Sequence, residues 1–599
     1  MLNSIHQNRL LIICILLFIV LGVIFFPSAG RDDDHIAFWS VNTILEFGDI
    51  LSYSGERLEQ GSSLGFIALM TIASAITRLP VQDIAVPLAV ISGIMLLILL
   101  NKFKLFIKKR AVNYALLITA TSFPFIYWSF SGLETSFYSL SLTFFCLFIL
   151  KITTNKSGIF EYLYLFPVIL TLQLLRPEAF FVIGLTICLF WLLKMAREIH
   201  QRNRNSSLIK TATQSEFTIF SAYVLLINCA AFAPLLIFRY TYFGNIFPQP
   251  VLSKISGIFP GLHSGIPIVP GSRYIIEFLI QNLIFTGSVI ALLSIVFGIL
   301  KRRNENRLIP SDILISLILS QLVFILLSGP DWMEAFRFIM PIIPIMSLMA
   351  GIFLYELCNK RPHINKPLVP ILLCIQFAGL GYFVTNDSSS IPLWATRNNV
   401  TQKIAGANNY SWFSRANTHH LRDIPVVEAL NNTIRELESV VGDRPIIITS
   451  YQAGFVMYHV TKEHFGRIRF IDLVGLADST ITKCLPLNNE TRRLRDAAAR
   501  KQQLGHLEVL RYLIRESDKA GTCFSPRPDI IYLMGEIDKS APELRELGYE
   551  FAFNNTGNIA LDFGKSEFYG GYLVDSKLFT NAGLKFAKSH ISVDYQIFQ

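Results

Sequence analysis

Charged residues are scarce in this chain. Asp, Glu, Lys and Arg make up 16% of its 599 residues, whereas 52% are hydrophobic. A soluble globular protein carries about 25% charged residues, so the composition excludes an ordinary soluble enzyme. The net charge of +10 does not indicate nucleic acid as a partner, because Lys and Arg are gathered in short loops between apolar runs. That placement is typical of the cytoplasmic loops of a membrane protein.

The chain has few cysteines and no recognisable signal-peptide cleavage site. Six of the eight cysteines lie in or beside apolar runs, where they behave as small hydrophobic residues. Cys484 and Cys523 lie in the polar C-terminal part, and a disulfide between them is left open. No CxxC pair or Cys/His spacing predicts a zinc site. The first apolar run, 10–26, lacks a small-residue cleavage site, so we do not interpret it as a removable signal peptide.

Apolar runs long enough to cross a bilayer recur as far as residue 384. We predict eleven spans, at 9–28, 82–100, 111–128, 135–150, 158–175, 178–194, 216–238, 274–299, 309–328, 338–357 and 367–384. Most positive charge lies in the loops predicted to be cytoplasmic, at 102–110, 194–210, 301–307 and 359–366. The shorter run at 62–79 is predicted to be a re-entrant or interfacial helix, because a twelfth crossing would reverse one end of the topology.

The pattern divides the chain at residue 384. Residues 1–384 are predicted to form a transmembrane catalytic domain with a first outer loop at 29–81, and residues 385–599 an outward-facing α/β domain. Strand patterns occur at 444–450, 469–474 and 529–533, and a charged helical pattern occurs at 487–518. The tail at 550–575 predicts short strands with a turn at 554–557.

Three consecutive carboxylates, Asp32, Asp33 and Asp34, directly follow the first apolar run. Like charges repel, so a run of acids beside a membrane is electrostatically costly. One interpretation is a solvated cap at the outer end of the span. The other is a catalytic loop, because activating a sugar hydroxyl needs a carboxylate within hydrogen-bond reach. We favour the catalytic loop, with Asp32 or Asp33 as the base.

Other polar residues of the outer loops are candidates for contacting substrate. Glu56 and Glu59 would orient the base or bind hydroxyls, and His35 is predicted to be a hydrogen-bonding neighbour rather than a metal ligand. Arg176 and Glu178 form a charged pair between two apolar runs with almost no loop, a position that is more often functional or internally paired.

A lipid phosphate leaving group needs one or two fixed cations. The cations that the topology leaves near the outer boundary include the donor-binding candidates Arg57, Arg239, Lys254 and Arg337. Snorkelling to the interface is the alternative explanation for each of them. Aromatic residues crowd the same loops, either as stacking platforms or as an interfacial belt. Candidates for shaping a sugar pocket are Tyr242, Asp331 and Trp332.

Six motifs in register resemble the arabinofuranosyltransferase branch of the GT-C glycosyltransferases, which includes the mycobacterial terminal β-(1→2) arabinofuranosyltransferase and its bacterial homologues. The motifs are DDDHIAF (32–38), GERLEQGSS (55–63), RPE (176–178), RYTYFGNIFPQPVLSK (239–254), GSRYIIEFL (271–279) and GPDWMEAFRFIMPIIP (329–344). The segment FIDLVGLAD (470–478) extends a weaker similarity into the C-terminal domain. The chain departs from the family pattern at Asp34, His35, 60–62 and Gln249.

The resemblance implies a fold, an activity and partners. It implies a GT-C membrane domain with a C-terminal periplasmic domain, in the bacterial inner membrane, with Asp32 and Asp33 as the catalytic acids. The donor would be a polyprenyl-phosphate pentose, most often arabinofuranose in this branch. The acceptor would be a cell-envelope glycan or an exported glycoprotein such as a pilin. A monophosphate donor has no diphosphate for a metal to hold, so we expect no metal or other cofactor, although some GT-C enzymes use divalent cations.

The alternative hypothesis is a polytopic transporter or flippase, or a polymerase of lipid-linked glycans. A transporter would carry ionisable residues near the middle of its spans, often at broken helices. The predicted spans are nearly free of charge, and the acids lie at their outer ends. The sequence therefore favours the transferase.

Overall fold

A computed structural model gives the architecture of the chain. It describes residues 2–25, 33–154, 162–201, 216–255, 268–282, 285, 310–329, 333, 335–360, 365–386, 418–480, 510–515, 517, 527–534, 537–561 and 564–594. The predicted span at 274–299, the helical pattern at 487–518, Cys484 and Cys523 lie mostly or wholly outside these residues.

Helices form nearly all of the described chain before residue 387. A helix pairs every backbone N–H and C=O within one segment, which apolar surroundings require. The helices are α1 (Leu2–Phe25), α2 (Asp34–Phe47), α3 (Leu64–Thr77), α4 (Val81–Lys102), α5 (Lys109–Thr121), α6 (Phe123–Ser129), α7 (Thr135–Thr154), α8 (Leu165–Leu175), α9 (Ala179–Gln201), α10 (Glu216–Phe243), α11 (Gln249–Ile255), α12 (Ile268–Gln281), α13 (Pro310–Ser328), α14 (Ile343–Lys360) and α15 (Asn365–Asn386).

Six helical stretches of the described chain are long and apolar enough to cross a membrane. They are Val81–Leu105, Thr135–Thr154, Ala179–Ala196, Phe217–Phe243, Pro310–Ser328 and Met340–Lys360. Shorter apolar helices occur at Arg9–Ile24, Leu64–Thr77, Leu165–Leu175 and Pro367–Gly379. Each of these ten stretches falls on a predicted span or on the predicted interfacial run. The total of eleven spans stays a prediction.

The predicted span at 111–128 is interrupted. It consists of α5 and α6, which are separated at Ser122, where the backbone is extended with φ −73° and ψ 120°. Pro124 explains the break, because proline has no N–H to donate and its ring would clash with the preceding turn of a continuous helix. A proline near the start of a new helix avoids both costs.

Close packing of α5 against α14 depends on a glycine. A Cβ built on Gly351 would lie 2.2 Å from the backbone oxygen of Ala111. Small residues allow helix backbones to approach closely in membrane proteins, where packing replaces the hydrophobic effect between helices. Gly351 therefore brings the two helices to a distance that any side chain at this position would prevent.

The described part of the C-terminal region forms a mixed α/β domain. Its elements are α16 (Thr418–Val441), β1 (Ile446–Ser450), α17 (Phe455–His464), β2 (Ile468–Asp472), β3 (Ile530–Met534), α18 (Ile537–Glu546), β4 (Tyr549–Leu561), β5 (Gly564–Asp575), α19 (Ser576–Asn581) and β6 (Ala587–Asp594). The six strands lie in the order β2-β1-β3-β5-β4-β6. β1 pairs in parallel with β2 and β3, whereas β5 runs antiparallel to β3 and β4. The three strands that the sequence predicts at 444–450, 469–474 and 529–533 are confirmed.

The predicted turn at 554–557 is wrong. These residues lie inside β4, which pairs with β5 on one side and β6 on the other. Asparagine and glycine favour turns through their local backbone preferences. Here the ladder hydrogen bonds to two neighbouring strands outweigh those preferences.

The chain separates into two compact units, each built from three segments of the sequence. Unit 1 comprises 1–23, 87–237 and 268–386, and unit 2 comprises 24–86, 238–267 and 387–599. Two of the predicted outer loops thus belong to the same unit as the C-terminal domain. The division into a membrane part and an outward-facing part stays a prediction.

Helix α3 of unit 2 has one buried and one exposed apolar face. It begins at Ser63, whose hydroxyl accepts a hydrogen bond from the N–H of Phe66, and it ends at Arg78 in the left-handed conformation. Residues on its exposed face are Leu69, Ile72 and Ile76. An exposed face of this kind is typical of a helix that lies against lipid, which supports the predicted interfacial position.

Candidate functional site

The predicted catalytic acids lie at the start of α2 in unit 2. Asp33 directly precedes the helix and is half-buried, and its backbone oxygen accepts a hydrogen bond from the N–H of Ile36 at 3.2 Å. Asp34 is fully buried in the first turn. The N-terminus of a helix favours negative charge. Of the two predicted catalytic acids, Asp33 is thus half-exposed at the start of a helix. Asp32 lies outside the described residues.

His35 is buried among aromatic rings. Its ring centroid lies 5.1 Å from that of Phe455, 5.3 Å from that of Tyr458 and 6.0 Å from that of His459, all in α17. Burial lowers the pKa of His459 to about 3, with further lowering by the charges of His35 and Lys462. With 1% exposure, His35 packs α2 against α17 rather than facing an open substrate site.

Glu59 and Arg239 form a buried bidentate ion pair in unit 2. Arg239 donates from Nε to Glu59 Oε2 at 2.8 Å and from Nη2 to Oε1 at 2.9 Å, and both side chains are almost fully buried. Burial raises the pKa of Glu59 above its ordinary value, and the Arg239 guanidinium opposes that shift. The backbone oxygen of Glu59 also accepts a hydrogen bond from the N–H of Gln249. The predicted donor-binding Arg239 thus holds the C-terminal end of α10 to the first outer loop through the predicted substrate-binding Glu59.

Arg57 lies at the exposed edge of the same loops. Its Nη2 donates to the Asp49 carboxylate at 3.0 and 3.1 Å, and its Cζ lies 5.0 Å from the centre of the Tyr242 ring. The Tyr242 hydroxyl donates to Asp49 Oδ1 at 2.8 Å. Hydrogen bonds from Tyr242 and Arg57 lower the pKa of Asp49. The structure therefore brings the predicted residues Arg57 and Tyr242 together around an acid that the sequence analysis missed.

The loop 472–480 is shaped by the carboxylate of Asp472. It accepts backbone hydrogen bonds from Val474, Leu476 and Ala477 at 2.7–2.9 Å. Burial raises the pKa of Asp472 in spite of these bonds. The turn that results presents backbone oxygens to the neighbouring segment 249–255.

Helix α11 docks on that turn. Gln249 donates from Nε2 to the backbone oxygens of Gly475 at 2.8 Å and Asp478 at 3.1 Å, and the Ser253 hydroxyl donates to the backbone oxygen of Val474. Gln249 is one of the departures from the family pattern, and here its amide attaches the loop to the C-terminal domain. The side chain of Lys254 lies outside the described residues.

Asp478 is a second acid that the sequence analysis missed. Burial raises its pKa to about 7, the backbone and side chain of Thr480 oppose that shift, and the charges of Asp472 and Glu56 add to it. Its Oδ1 accepts a hydrogen bond from the N–H of Thr480 at 2.8 Å. Glu56 itself is exposed in the first loop. The signal was present in the FIDLVGLAD segment, whose last residue is Asp478.

Unit 1 contains a separate network of four charged side chains. Arg337 Nη2 donates to Glu134 Oε1 at 2.9 Å, and Arg176 Nη1 lies 2.9 Å from the same oxygen. Arg176 Nε lies 3.1 Å from Glu178 Oε1. Burial alone would raise the pKa of Glu134, but the charges of Arg337 and Arg176 outweigh burial and hold that pKa below its ordinary value. The predicted residues Arg176, Glu178 and Arg337 are thus brought together by an acid that was not predicted.

Glu134 carried a sequence signal. It is the sole carboxylate between the predicted spans 111–128 and 135–150, and an ionisable residue at such a place is usually paired or functional. The loop that brings Arg337 to it is strained, since Ala335 and Phe336 have φ of 51° and 53°. Left-handed backbone at residues other than glycine costs free energy and is concentrated at functional sites. Asp331 and Trp332 lie outside the described residues.

Metal ligands are not grouped within the part of the chain that the structure describes. No set of three or more His, Cys, Asp or Glu residues there is arranged to hold a metal ion. The carboxylates that the geometry does bring together are paired with guanidinium groups or with backbone N–H groups.

Comparison with solved structures places the chain in a known fold. The archaeal oligosaccharyltransferase AglB from Archaeoglobus fulgidus, in complex with an inhibitory peptide and a dolichol-phosphate, matches with a TM-score of 0.51 and 11% identity, over 94% of this chain and 74% of that one. ArnT from Cupriavidus metallidurans, bound to undecaprenyl phosphate, matches with a TM-score of 0.48 and 12% identity, over 94% of this chain and 97% of that one. No protein-family model and no curated protein sequence matches.

The AglB comparison establishes the fold, and at 11% identity it establishes no more than that. The ArnT comparison falls below a TM-score of 0.5 and adds no argument. The predicted fold class is confirmed: the described chain combines helices long and apolar enough to cross a membrane with a C-terminal sheet domain, and it shares the fold of that oligosaccharyltransferase.

Proposed function

We propose that this chain is a membrane glycosyltransferase that moves a pentose, arabinofuranose, from a polyprenyl-phosphate donor to a glycan or exported glycoprotein on the outer face of the membrane. The observation that carries the proposal is a fold shared with an oligosaccharyltransferase solved with a dolichol-phosphate, over 94% of this chain. Fold alone does not establish function, so the argument also depends on the residues of the first loop.

Asp33, together with Asp32, supplies the base. The acceptor hydroxyl transfers its proton to the carboxylate as its oxygen bonds to the anomeric carbon of the donor sugar. The bond between that carbon and the phosphate oxygen breaks, and the polyprenyl phosphate leaves with the electron pair. Asp33 supports this role because it is half-buried at a helix start, where a carboxylate is favoured and still reachable.

The leaving phosphate needs a cation that can reach it. Arg239 is less suitable, because its Nε and Nη2 already donate to the two carboxylate oxygens of Glu59. Arg57 is more suitable, since its side chain is 55% exposed and hydrogen-bonds Asp49 through Nη2 alone. A guanidinium with several remaining donors can bind two phosphate oxygens at once. Arg57 is therefore our proposed phosphate contact, with Lys254 as a second candidate.

The experiment replaces each acid separately in the full-length protein, as Asp32→Asn and Asp33→Asn. Purified variants receive synthetic polyprenyl-phosphoryl arabinofuranose, and mass spectrometry follows the transfer of pentose to acceptor. Loss of the base is expected to lower kcat/KM by roughly 10²–10⁴-fold at unchanged protein abundance. Asp83→Asn, which changes an acid in the first turn of α4, is the matched control and should transfer normally.

Two results contradict the proposal. Unaltered transfer by both asparagine variants would show that the acids are not catalytic. Transfer from a polyprenyl-phosphoryl hexose offered in parallel, with no transfer from the arabinofuranose donor, would show that the donor class is wrong. Mass spectrometry of envelope glycans and pilins from a deletion strain identifies the acceptor, because the loss of a pentose mass marks the modified molecule.

A further inference from the structure

The charged network of unit 1 is electrically balanced. Two guanidinium groups, from Arg176 and Arg337, meet two carboxylates, from Glu134 and Glu178. The side chains of Arg176, Glu134 and Glu178 are at least nine-tenths buried, and that of Arg337 is 11% exposed. A buried network of this kind costs desolvation energy and adds little stability compared with apolar packing. Stability therefore does not explain why the chain has this network.

Buried polar groups of the network lack a hydrogen-bond partner among the described residues. They include the Tyr138 hydroxyl and, on Arg176, both Nη2 and Nε, the last of which lies 3.1 Å from Glu178 Oε1 as an ion pair. Tyr138 lies in the first turn of α7, and its N–H donates to the backbone oxygen of Glu134 at 2.9 Å, which ties the start of the helix to the network. Leaving such groups buried and unpaired is unfavourable, because each loses its hydrogen bonds to water.

The orientation of the guanidinium groups is restricted by aromatic rings. Cζ of Arg176 lies 5.8 Å from the centre of the Phe338 ring, and Cζ of Arg337 lies 5.7 Å from that of the Trp128 ring. Trp128 is itself held by a 2.9 Å hydrogen bond from Nε1 to the backbone oxygen of Ala335. The free edge of Arg176 is thus presented in one direction before any ligand arrives, which lowers the entropic cost of binding.

Charge decides which ligand suits these groups. A phosphate would need a surplus of positive charge, and the balanced network offers none. A sugar hydroxyl is neutral, accepts a hydrogen bond from Arg176 Nη2 and exchanges a second with the Tyr138 hydroxyl. An ordered water has the same hydrogen-bonding capacity, so experiment has to separate water from sugar.

We infer that Glu134, Arg176, Glu178, Arg337 and Tyr138 form a subsite that binds the hydroxyl groups of a sugar ring. The inference rests on the proposed function, because it assigns one of the two sugars of that reaction to this network. Glu134 is the positioning residue, since it holds both guanidinium groups through one oxygen. Arg176 Nη2 and the Tyr138 hydroxyl contact the ligand.

The test measures binding of two lipids to the full-length protein in nanodiscs. The probes are farnesyl-phosphoryl arabinofuranose and farnesyl phosphate, which differ in the sugar alone. Tyr138→Phe removes a hydroxyl that has no hydrogen-bond partner among the described residues, so the melting temperature of the variant should not fall. We expect this variant to bind the sugar-bearing lipid about 2- to 10-fold more weakly and farnesyl phosphate normally. Arg176→Lys, which keeps the charge but loses Nη2, is expected to give the same selectivity with a larger loss.

The acceptor sugar gives a different expected result. If the subsite holds the acceptor, both variants bind both lipids normally, and KM for the acceptor rises 2- to 10-fold while KM for the donor is unchanged. Tyr114→Phe is the matched control, because its hydroxyl contacts Cys358 and lies in α5, away from the network residues in sequence. It should leave lipid binding and both KM values unchanged.

Three results overturn the inference. Equal weakening of both lipids would identify a phosphate site. Unchanged binding and unchanged KM values in both variants would show that water fills the network and that its role is structural. In either case the wild-type protein still transfers the sugar, so the proposed function is not contradicted. A wild-type protein that binds neither lipid and transfers no sugar would overturn the proposed function and the subsite together.

Discussion

Each unit contains buried ion pairs between arginine and glutamate, but the hydrogen bonding of the buried arginine differs between the two units. In unit 2, Arg239 and Glu59 satisfy each other through two short hydrogen bonds, and neither residue has a fully buried polar atom without a partner. In unit 1, Arg176 shares Glu134 with Arg337 and keeps a buried Nη2 with no partner among the described residues. The sequence analysis predicts donor binding for Arg239 and Arg337 and substrate contact for Arg176.

The difference separates a structural pair from a binding network. A guanidinium that one carboxylate holds through two hydrogen bonds, as Glu59 holds Arg239, fixes a helix to a loop and has fewer donors left for a ligand. A guanidinium with an unused buried donor has lost its hydrogen bonds to water without replacing all of them. Native proteins rarely leave such a donor unpaired unless a ligand, an ion or a water bonds to it. The number of remaining donors, rather than charge or position in the sequence, distinguishes the two.

The sharpest test of this comparison breaks the completed pair of unit 2. Glu59→Gln leaves the Arg239 guanidinium buried without its carboxylate, and breaking such a pair costs about 3–5 kcal/mol. We expect low abundance and a large fall in the SDS concentration that unfolds the protein in mixed micelles. The double variant Glu59→Leu/Arg239→Met removes both charges and should recover much of the loss.

If Glu59→Gln were as stable as the wild type while sugar transfer fell, Arg239 would be a ligand-binding group after all. The contrast between the units would then be lost. Tyr138→Phe in unit 1 is the counterpart of this test, because we expect it to weaken ligand binding and to leave stability unchanged.

A pH titration examines the aromatic contact between α2 and α17 in unit 2. Burial holds the pKa of His459 at about 3, whereas an unfolded histidine titrates near pH 6.5. Below pH 6.5 the unfolded chain binds a proton that the native chain does not. Stability therefore falls as pH drops through this range, by at most about 1.4 kcal/mol per pH unit from this group. Hydrogen exchange in α17, corrected for intrinsic rates, measures the slope between pH 6.5 and 5.

His459→Gln should flatten that slope, because glutamine does not titrate. An unchanged slope in the His459 variant would show that the buried imidazole does not control the acid sensitivity of this contact.

The smallest change in stability is expected for Arg57→Gln. Its ion pair with Asp49 is exposed, and such pairs contribute little because water and salt screen them. We expect no shift of the melting temperature that can be measured, together with a higher KM for the lipid donor. A clear fall in melting temperature would place Arg57 with Arg239 as a structural residue and remove it as the proposed phosphate contact.

Several structural features were accessible from local sequence patterns. The strand patterns at 444–450, 469–474 and 529–533 were visible because short apolar runs bounded by polar residues have few alternatives. The interruption at Ser122 was not predicted, although Pro124 was a signal, because the apolar composition of 111–128 masked it. The strand interior at 554–557 was hidden because its pairing partners lie far away in sequence.

The sequence by itself determined the membrane class, the positions of apolar helices and the short list of charged residues near their predicted outer ends. These follow from composition and from local periodicity, which every segment carries within itself. Tertiary structure alone decided which charges meet: Arg239 with Glu59, and Arg176 with Glu134 and Arg337. Partner choice depends on distances between residues far apart in the chain, and whether a guanidinium is saturated or has a donor to spare is a property of those distances.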